Sequence, residues 1–286
     1  MRRVISSIFL IIGVFAVIGC GAGTGTVTVN ITDAPIDAAA VESVFITVTK
    51  LEYHVGDTEE WYEAAGFNGP QQYDLLSLTG GISEAMGEFL FPAGTITQLR
   101  FFLDAPETGS GTPSNPGCYV KLTGDDTKYP LFVPSAASSG YKATGSFEVP
   151  VNGTVSVTAD FDVRKSVKKT GSTYNLQPTI RTIVDGEAGK IAGTVTYTGT
   201  DTLVVFAYED GGYSSAQLST DPPFSGAVSS AVLSNTAYIL PYLAAGTYDL
   251  VFACFDSDGV YIDASVRTAE DVVVESGKTT TRDFTY

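Results

Sequence analysis

Histidine is almost missing from this chain. His54 is the only one, alongside one tryptophan, two methionines and three cysteines in 286 residues. Nucleophilic catalysis needs a base, an orienting partner and an activated nucleophile together, and a single histidine limits that arrangement to one place. Leu51, Tyr53 and Val55 alternate as an inward set, so His54 is expected on the outer face of its strand beside Glu52. No glycine-x-serine-x-glycine elbow occurs. Basic residues are scarce too, 16 against 32 acidic. A net charge of −16 excludes binding driven by phosphate neutralisation, so no nucleic-acid partner is expected. Three cysteines exclude a disulfide framework. Cys118 alternates with Val120 and Leu122, and Cys254 with Tyr248, Leu250 and Phe252. The two could pair in an oxidising compartment, but this alternation favours two buried free thiols, each in a different domain.

Long apolar runs are also absent. The main apolar stretch, Val4 to Gly19, has sixteen residues, none charged, short of the roughly 20 that a spanning helix needs. It follows Arg2 and Arg3 and has the proportions of a secretory h-region. Its end, Val17-Ile18-Gly19-Cys20, resembles a bacterial lipobox. That resemblance implies cleavage before Cys20, a diacylglycerol thioether on its sulfur and acylation of the new amine, a palmitate-type anchor. Two or more chains hold a membrane stably where one does not. Residues 1–19 then form a lipoprotein signal peptide and residues 20–25 a short tether, at most about 20 Å long. Removing residues 1–19 takes two arginines and no acid, moving the net charge from −16 to −18. Gly21 in place of an aspartate favours the outer membrane in a cell that has two.

What the chain has in plenty is glycine, threonine, valine and tyrosine, the composition of strands and turns. Period-two alternation recurs: Val27/Val29/Ile31, Val44/Ile46/Val48, Val155/Val157/Ala159/Phe161/Val163. Leu51/Tyr53/Val55 continue Val44/Ile46/Val48 in the opposite phase, which predicts a β-bulge at Thr49-Lys50. Helical signal is confined to Asp37–Glu42 and Ser83–Phe89. The expectation is an all-β chain of two tandem β-sandwich domains, residues 26–186 and 189–286, divided at Asp185-Gly-Glu-Ala-Gly189. A faint internal echo crosses that division. Gly25-Thr-Val-Thr-Val29 matches Gly193-Thr-Val-Thr-Tyr197, Ala93-Gly-Thr95 matches Ala245-Gly-Thr247, and Val151-Asn-Gly153 matches Val274-Glu-Ser-Gly277.

Six ordered motifs carry a family resemblance. They are Thr32-Asp-Ala-Pro-Ile-Asp37, Trp61, Asp74-Leu-Leu-Ser-Leu78, Pro92-Ala-Gly94 with Gln98-Leu-Arg100, Asp160-Phe-Asp162 with Lys165-Ser166, and Pro178-Thr-Ile-Arg181. Residues 25–185 thus resemble bacterial lipoproteins of domain-of-unknown-function family 4382. The resemblance implies a surface or periplasmic lipoprotein and supplies no activity, cofactor or catalytic residue. Residues 189–286 resemble transthyretin-like, carboxypeptidase-regulatory-like sandwiches through Gly189 to Val195, Leu203-Val-Val-Phe-Ala207 and Leu243-Ala-Ala-Gly-Thr-Tyr248. Such domains serve as spacers and binding modules.

Candidate contacts are few. Arg164, Lys165, Lys168 and Lys169 crowd four cations into six positions, where they could meet anionic polysaccharide or headgroups, or simply solvate a hairpin tip. Tyr213 lies in a Gly-rich polar loop, placed to stack on a sugar or a partner. Asp256, Asp258 and Asp263 hold part of a calcium-loop pattern but lack the glutamate twelve along, and Asp-Gly there first signals a hairpin turn. No other cofactor or metal is implied. Val155–Val167 and Tyr174–Val184 are expected to pair as a hairpin turning at Thr170-Gly171, with Asp160 opposite Arg181, Arg164 opposite Gln177 and Val167 opposite Tyr174. Pro178 would set the returning strand at a sheet edge. The function expected is non-catalytic: a lipid-anchored envelope protein that binds a glycan or an envelope protein, or has an adhesive or assembly role. The alternative is a polysaccharide-acting enzyme or its accessory subunit, since acids are numerous enough for a glycosidase pair.

Overall fold

The computed structural model describes residues 23–34, 41–56, 58–133, 139–220, 222–257 and 259–286. The chain is all-β. Its first strands are β1 (Thr24–Ala34), β2 (Val41–Val55), β3 (Trp61–Glu63), β4 (Gln71–Asp74), β5 (Glu84–Pro92), β6 (Gly94–Leu103) and β7 (Tyr119–Leu122). Next come β8 (Asp125–Phe132), β9 (Tyr141–Thr144), β10 (Phe147–Val149), β11 (Thr154–Asp162), β12 (Val167–Thr170), β13 (Thr173–Leu176) and β14 (Ile180–Val184). One short helix, α1 (Val163–Ser166), separates β11 from β12.

These strands form one hydrogen-bonded path, β12-β13-β8-β7-β2-β6-β9-β14-β11-β1-β5, with β3 and β4 on β2 and β10 on β6. The path folds over so that alternating apolar faces meet. Val27, Val29 and Ile31 of β1 and Phe161 of β11 join Leu99 and Phe101 of β6 in one buried cluster. Phe101 and Phe161 meet edge-on at 5.4 Å. The bulge expected at Thr49-Lys50 is present as a register shift between Val48 and Lys50 against β6. Ser83–Phe89, expected to carry helix, lies largely in β5, because pairing with β1 overrides weak local propensity. Of Asp37–Glu42, residues 37–40 lie outside the described residues and Val41 and Glu42 open β2.

The remaining strands are β15 (Ala188–Thr196), β16 (Thr202–Glu209), β17 (Ser229–Val232), β18 (Ala237–Ala244), β19 (Gly246–Phe255), β20 (Arg267–Val274), β21 (Thr279–Thr281) and β22 (Phe284–Thr285). They make two sheets, β18-β15-β21 with β22 on β15, and β17-β16-β19-β20. Ile191, Leu240 and Phe284 of the first face Val205, Leu250 and Phe252 of the second across a shared core. The alternate residues of β16 and β19, among them Phe206, Tyr208, Val251 and Phe255, are also buried, beneath Phe224 and Ala227. These two strands are covered on both faces.

The internal echo has a structural counterpart, in a different alignment. β1 pairs antiparallel with β5 and parallel with β11. β15 pairs antiparallel with β18 and parallel with β21. Gly94 opposes Val149 as Gly246 opposes Val274. Asn152 (φ 54°) and Gly277 (φ 70°) hold the same left-handed turn position, and their amides donate to Thr24 and Ala188 carbonyls, each at 2.8 Å. A side chain at Gly25 would strike Val149 at 2.7 Å, and one at Gly189 would strike Val274 at 2.7 Å. The partner of Gly25 is therefore Gly189, and Gly193 is not its counterpart. Both positions require glycine because a neighbouring turn crosses directly over the strand.

Candidate functional site

A cleft of about 470 Å³ opens beside the terminal strand β12. Three pieces of chain build it. β8 contributes Tyr129, Pro130 and Phe132, the β12–β13 hairpin contributes Thr170 and Ser172 to Asn175, and the loop after β6 contributes Thr108, Ser110 and Thr112. The hairpin turns at Gly171, whose φ of 61° suits glycine. Of the twelve lining residues none is charged, and nine carry a hydroxyl or a carboxamide. Phe132 and Tyr174 are buried and form the floor. Tyr129 is half-buried and tilts against Tyr174 with ring centroids 5.8 Å apart. The Tyr129 hydroxyl donates to Asp125 Oδ2 at 2.7 Å. Bonds from Thr127 and Tyr129 hold the Asp125 carboxyl down at about 2, and the same bond to Asp125 raises the Tyr129 pKa. The tyrosine is thus fixed in orientation by a permanent carboxylate. Such a surface, with donors and acceptors around aromatic carbon, suits a neutral polyhydroxylated ligand.

Lys168 and Lys169, expected at an exposed hairpin, are exposed on β12 next to this cleft. Lys169 Nζ lies 5.4 Å from the Tyr174 ring centre. Arg164 departs from expectation. Asp162 accepts from the Lys165 amide at 3.2 Å and caps α1, which rotates Arg164 out of the ladder. Its side chain is buried, donates from Nη1 to the Phe224 carbonyl at 2.9 Å and sits over the Phe206 ring at 5.3 Å. It is a structural plug between the two strand sets and offers no surface contact. Lys165 Nζ donates to the Ala227 carbonyl at 2.5 Å, and Asp162 lies 3.3 Å from it. The helical turn also splits the expected hairpin. β11 and β14 keep the expected register, with Asp160 opposite Arg181. Beyond the turn Val167 faces Leu176 rather than Tyr174. β14 is not at an edge, since β9 pairs with its other side.

Arg181 Nε donates to Asp160 Oδ2 at 2.7 Å. Burial pushes the Asp160 pKa up, and the attraction of Arg181 only partly offsets it. His54 Nδ1 lies 2.6 Å from Thr97 Oγ1, with its ring tilted against Trp61. Its neighbour Glu52, expected on the surface, is buried and bonded by Arg100 Nε at 2.9 Å and Lys50 at 2.7 Å. Burial alone would raise the Glu52 pKa, but these two cations outweigh it and hold the carboxyl low. Tyr213 is half-buried, with its ring 5.3 Å from Tyr208, so much of it packs instead of facing solvent. Asp256 Oδ1 accepts from the Val260 amide at 2.9 Å, the bond of a turn. Asp263 opens a single 3-10 turn, and Asp258 lies outside the described residues. Among the described residues no group of three or more His, Cys, Asp or Glu is placed to hold a metal. Cys118 and Cys254 are buried and unpaired. Cys20 lies outside the described residues. Among those residues no helix is long and apolar enough to cross a membrane.

The cleft itself was not anticipated. Its one local signal is the run Thr108-Gly-Ser-Gly-Thr-Pro-Ser114, a hydroxyl-rich loop that gains meaning only when β8 and β13 are brought against it.

No curated protein matches the sequence. Similar solved structures include the minor pilin of Streptococcus agalactiae, at 12% identity over 90% of this chain and 94% of that one, with a TM-score of 0.21. The major pilin of Streptococcus pyogenes is 11% identical over 92% of this chain and 99% of that one, with a TM-score of 0.19. A fimbrial protein of Bacteroides ovatus is 8% identical over 92% of this chain and 50% of that one, with a TM-score of 0.20. Scores this low carry no argument about architecture or role. The family profile described as Domain of unknown function (DUF4382) matches residues 24–178, more than half of the chain, and the chain belongs to that family.

Proposed function

We propose that this protein is a non-catalytic lipoprotein of the cell envelope that holds a glycan in the cleft beside β12. The observation that carries the reading is the cleft wall, nine hydroxyl or carboxamide side chains around aromatic carbon with no charged residue among its lining. Glycoside hydrolysis needs two carboxyl groups facing one bond about 5–10 Å apart, and this lining supplies neither. Lys168 and Lys169 at the rim add affinity for sugars bearing a carboxylate. The transthyretin-like character of residues 189–286 and the diacylglyceryl anchor on Cys20 are parts of the same proposal.

The test probes arrayed envelope glycans with the full chain and with two variants, Tyr129→Ala and Ser172→Trp. Ser172 is exposed, so an indole there fills the cleft without entering the core. Binding by the wild type with loss in both variants supports the reading. No bound glycan, or equal binding by all three, overturns it, and release of shortened sugars would make the protein an enzyme. Metabolic labelling with a fatty-acid analogue tests the anchor separately: the label should enter the wild type and be absent from Cys20→Ala.

A further inference from the structure

The start of β1 is framed by two chain reversals. The turn from β5 to β6 reaches it through the Ala93 amide, which donates to the Gly23 carbonyl at 2.6 Å. The turn from β10 to β11 reaches it through Asn152, bonded to Thr24 at 2.8 Å. Leu90 is 69% exposed and Val151 64%, the two most exposed of the large hydrophobic residues described. Both lie at this end. Leu90 opposes Thr26, and a side chain at Gly23 would meet Val151 Cγ1 at 2.7 Å. Scattered exposed hydrophobics need no explanation, but these two share a setting poor in charge, whose nearest acids are Glu88, opposite Thr28, and Glu148, opposite Thr95. The segments 20–32, 89–99 and 149–159 contain no charged residue, in a chain with 48 of them. The equivalent turn of the second strand set, Glu275-Ser-Gly-Lys278, is charged.

Three peptide links separate Cys20 from Gly23, a reach of at most about 11 Å. An acyl group on Cys20 therefore holds this end at or just above the headgroup layer, which is about 5–8 Å deep on each side of the hydrocarbon. We propose that this end of the protein docks on the lipid bilayer, with Leu90 and Val151 entering the boundary between headgroups and acyl chains. The proposal rests on the lipoprotein reading above and adds to it a fixed orientation: the anchor becomes one of three membrane contacts instead of a loose tether. The acidic body, with Glu88 and Glu148 near this end, is repelled by anionic lipid, so the occupant fitting it is a zwitterionic surface.

The full chain, purified from membranes, is first weighed for acyl mass on Cys20. It is then reconstituted into phosphatidylcholine vesicles whose acyl chains carry a doxyl quencher. A polarity-sensitive fluorophore is placed at Leu90→Cys, at Val151→Cys and, for reference, at Gly111→Cys. Cys118 and Cys254 are buried and do not compete for the label. Gly111 is exposed, has open space where its side chain would grow, and lies in the loop beyond the far end of β6, whose ten residues span about 30 Å. The expected result is quenching at positions 90 and 151 at least about threefold that at 111, as for groups buried 5–10 Å into the interface. Leu90→Asp in the Val151-labelled chain should lower its quenching toward the reference. Acylated protein quenched equally at all three sites overturns the docking and leaves the anchor standing. Absence of acyl mass overturns the anchor reading, and the docking with it.

Discussion

Replacing Arg181 by leucine isolates the energetics of the buried Asp160 carboxylate. The pair is 2.7 Å long, with Asp160 5% and Arg181 26% exposed in their side chains. Charges about 4 Å apart at an effective dielectric constant near 20 attract by roughly 4 kcal/mol, and removing one partner of a buried pair costs about 3–5 kcal/mol. The partial exposure of Arg181 places the penalty near the lower end, about 3 kcal/mol near pH 7. The sign of the pH dependence follows from the native protein. Burial, reinforced by Asp162 and opposed by Arg181 and Lys165, already raises the folded pKa of Asp160 above its unfolded value. A raised acid contributes stability that is complete below the unfolded pKa and is lost as pH rises through the folded one. Arg181→Leu raises the folded pKa further, so its penalty should be largest at neutral pH and shrink on acidification, as Asp160 takes up a proton. Urea unfolding followed by circular dichroism, near pH 7 and near pH 4.5, measures both values. A penalty equal at the two pH values, or below about 1 kcal/mol at pH 7, would refute the reasoning. Asp160→Asn combined with Arg181→Leu should be less than additive.

Arg164→Met should lower stability by about 3 kcal/mol, because the Phe224 carbonyl loses a charged donor. Limited proteolysis should then cut within residues 213–228, and unchanged resistance would show that the plug is idle. Burial pushes the Cys118 thiol up to about 12 and raises Cys254 as well, so neither should react with an aromatic disulfide reagent until the protein is unfolded; a native reaction contradicts this burial. Residues 26–186 and 189–286, made separately, should each melt cooperatively, the second at a reduced temperature without Arg164 and Lys165 beneath its Phe224 loop. Loss of the transition in either fragment would show that the two strand sets form one cooperative unit.

Much of the fold was legible because alternation is a local property. Val27, Val29 and Ile31 point inward in the structure as their spacing implied, and the phase switch after Val48 marked a real bulge. The Asp160–Arg181 opposition could be read because an apolar register leaves only one sensible pairing. Reading failed where a single side chain redirected the backbone. Asp162 caps a helical turn, and that turn buries Arg164, moves Val167 by two residues and removes the expected smooth hairpin. Nothing in the sequence marks Phe224 as the acceptor waiting sixty residues away. The cleft was hidden for a similar reason, since its wall combines three segments whose hydroxyl residues are each unremarked in isolation. Lys168 and Lys169 were found at its rim by their charge, and the neutral lining beside them carries no such signal.

The placement of β1 has a mechanical consequence. This strand is eleven residues long and is gripped on both sides, by β5 running against it and β11 running with it. A pull transmitted through the residues ahead of Gly23 acts along the axis of β1, so it loads both ladders in shear. Hydrogen bonds on the two flanks must then fail together, whereas a strand peeled sideways loses them one at a time. Tension entering at this end of the strand is thereby shared between its two neighbours, β5 at the sheet edge and β11 within it, and the first strand to meet the load resists along its whole length.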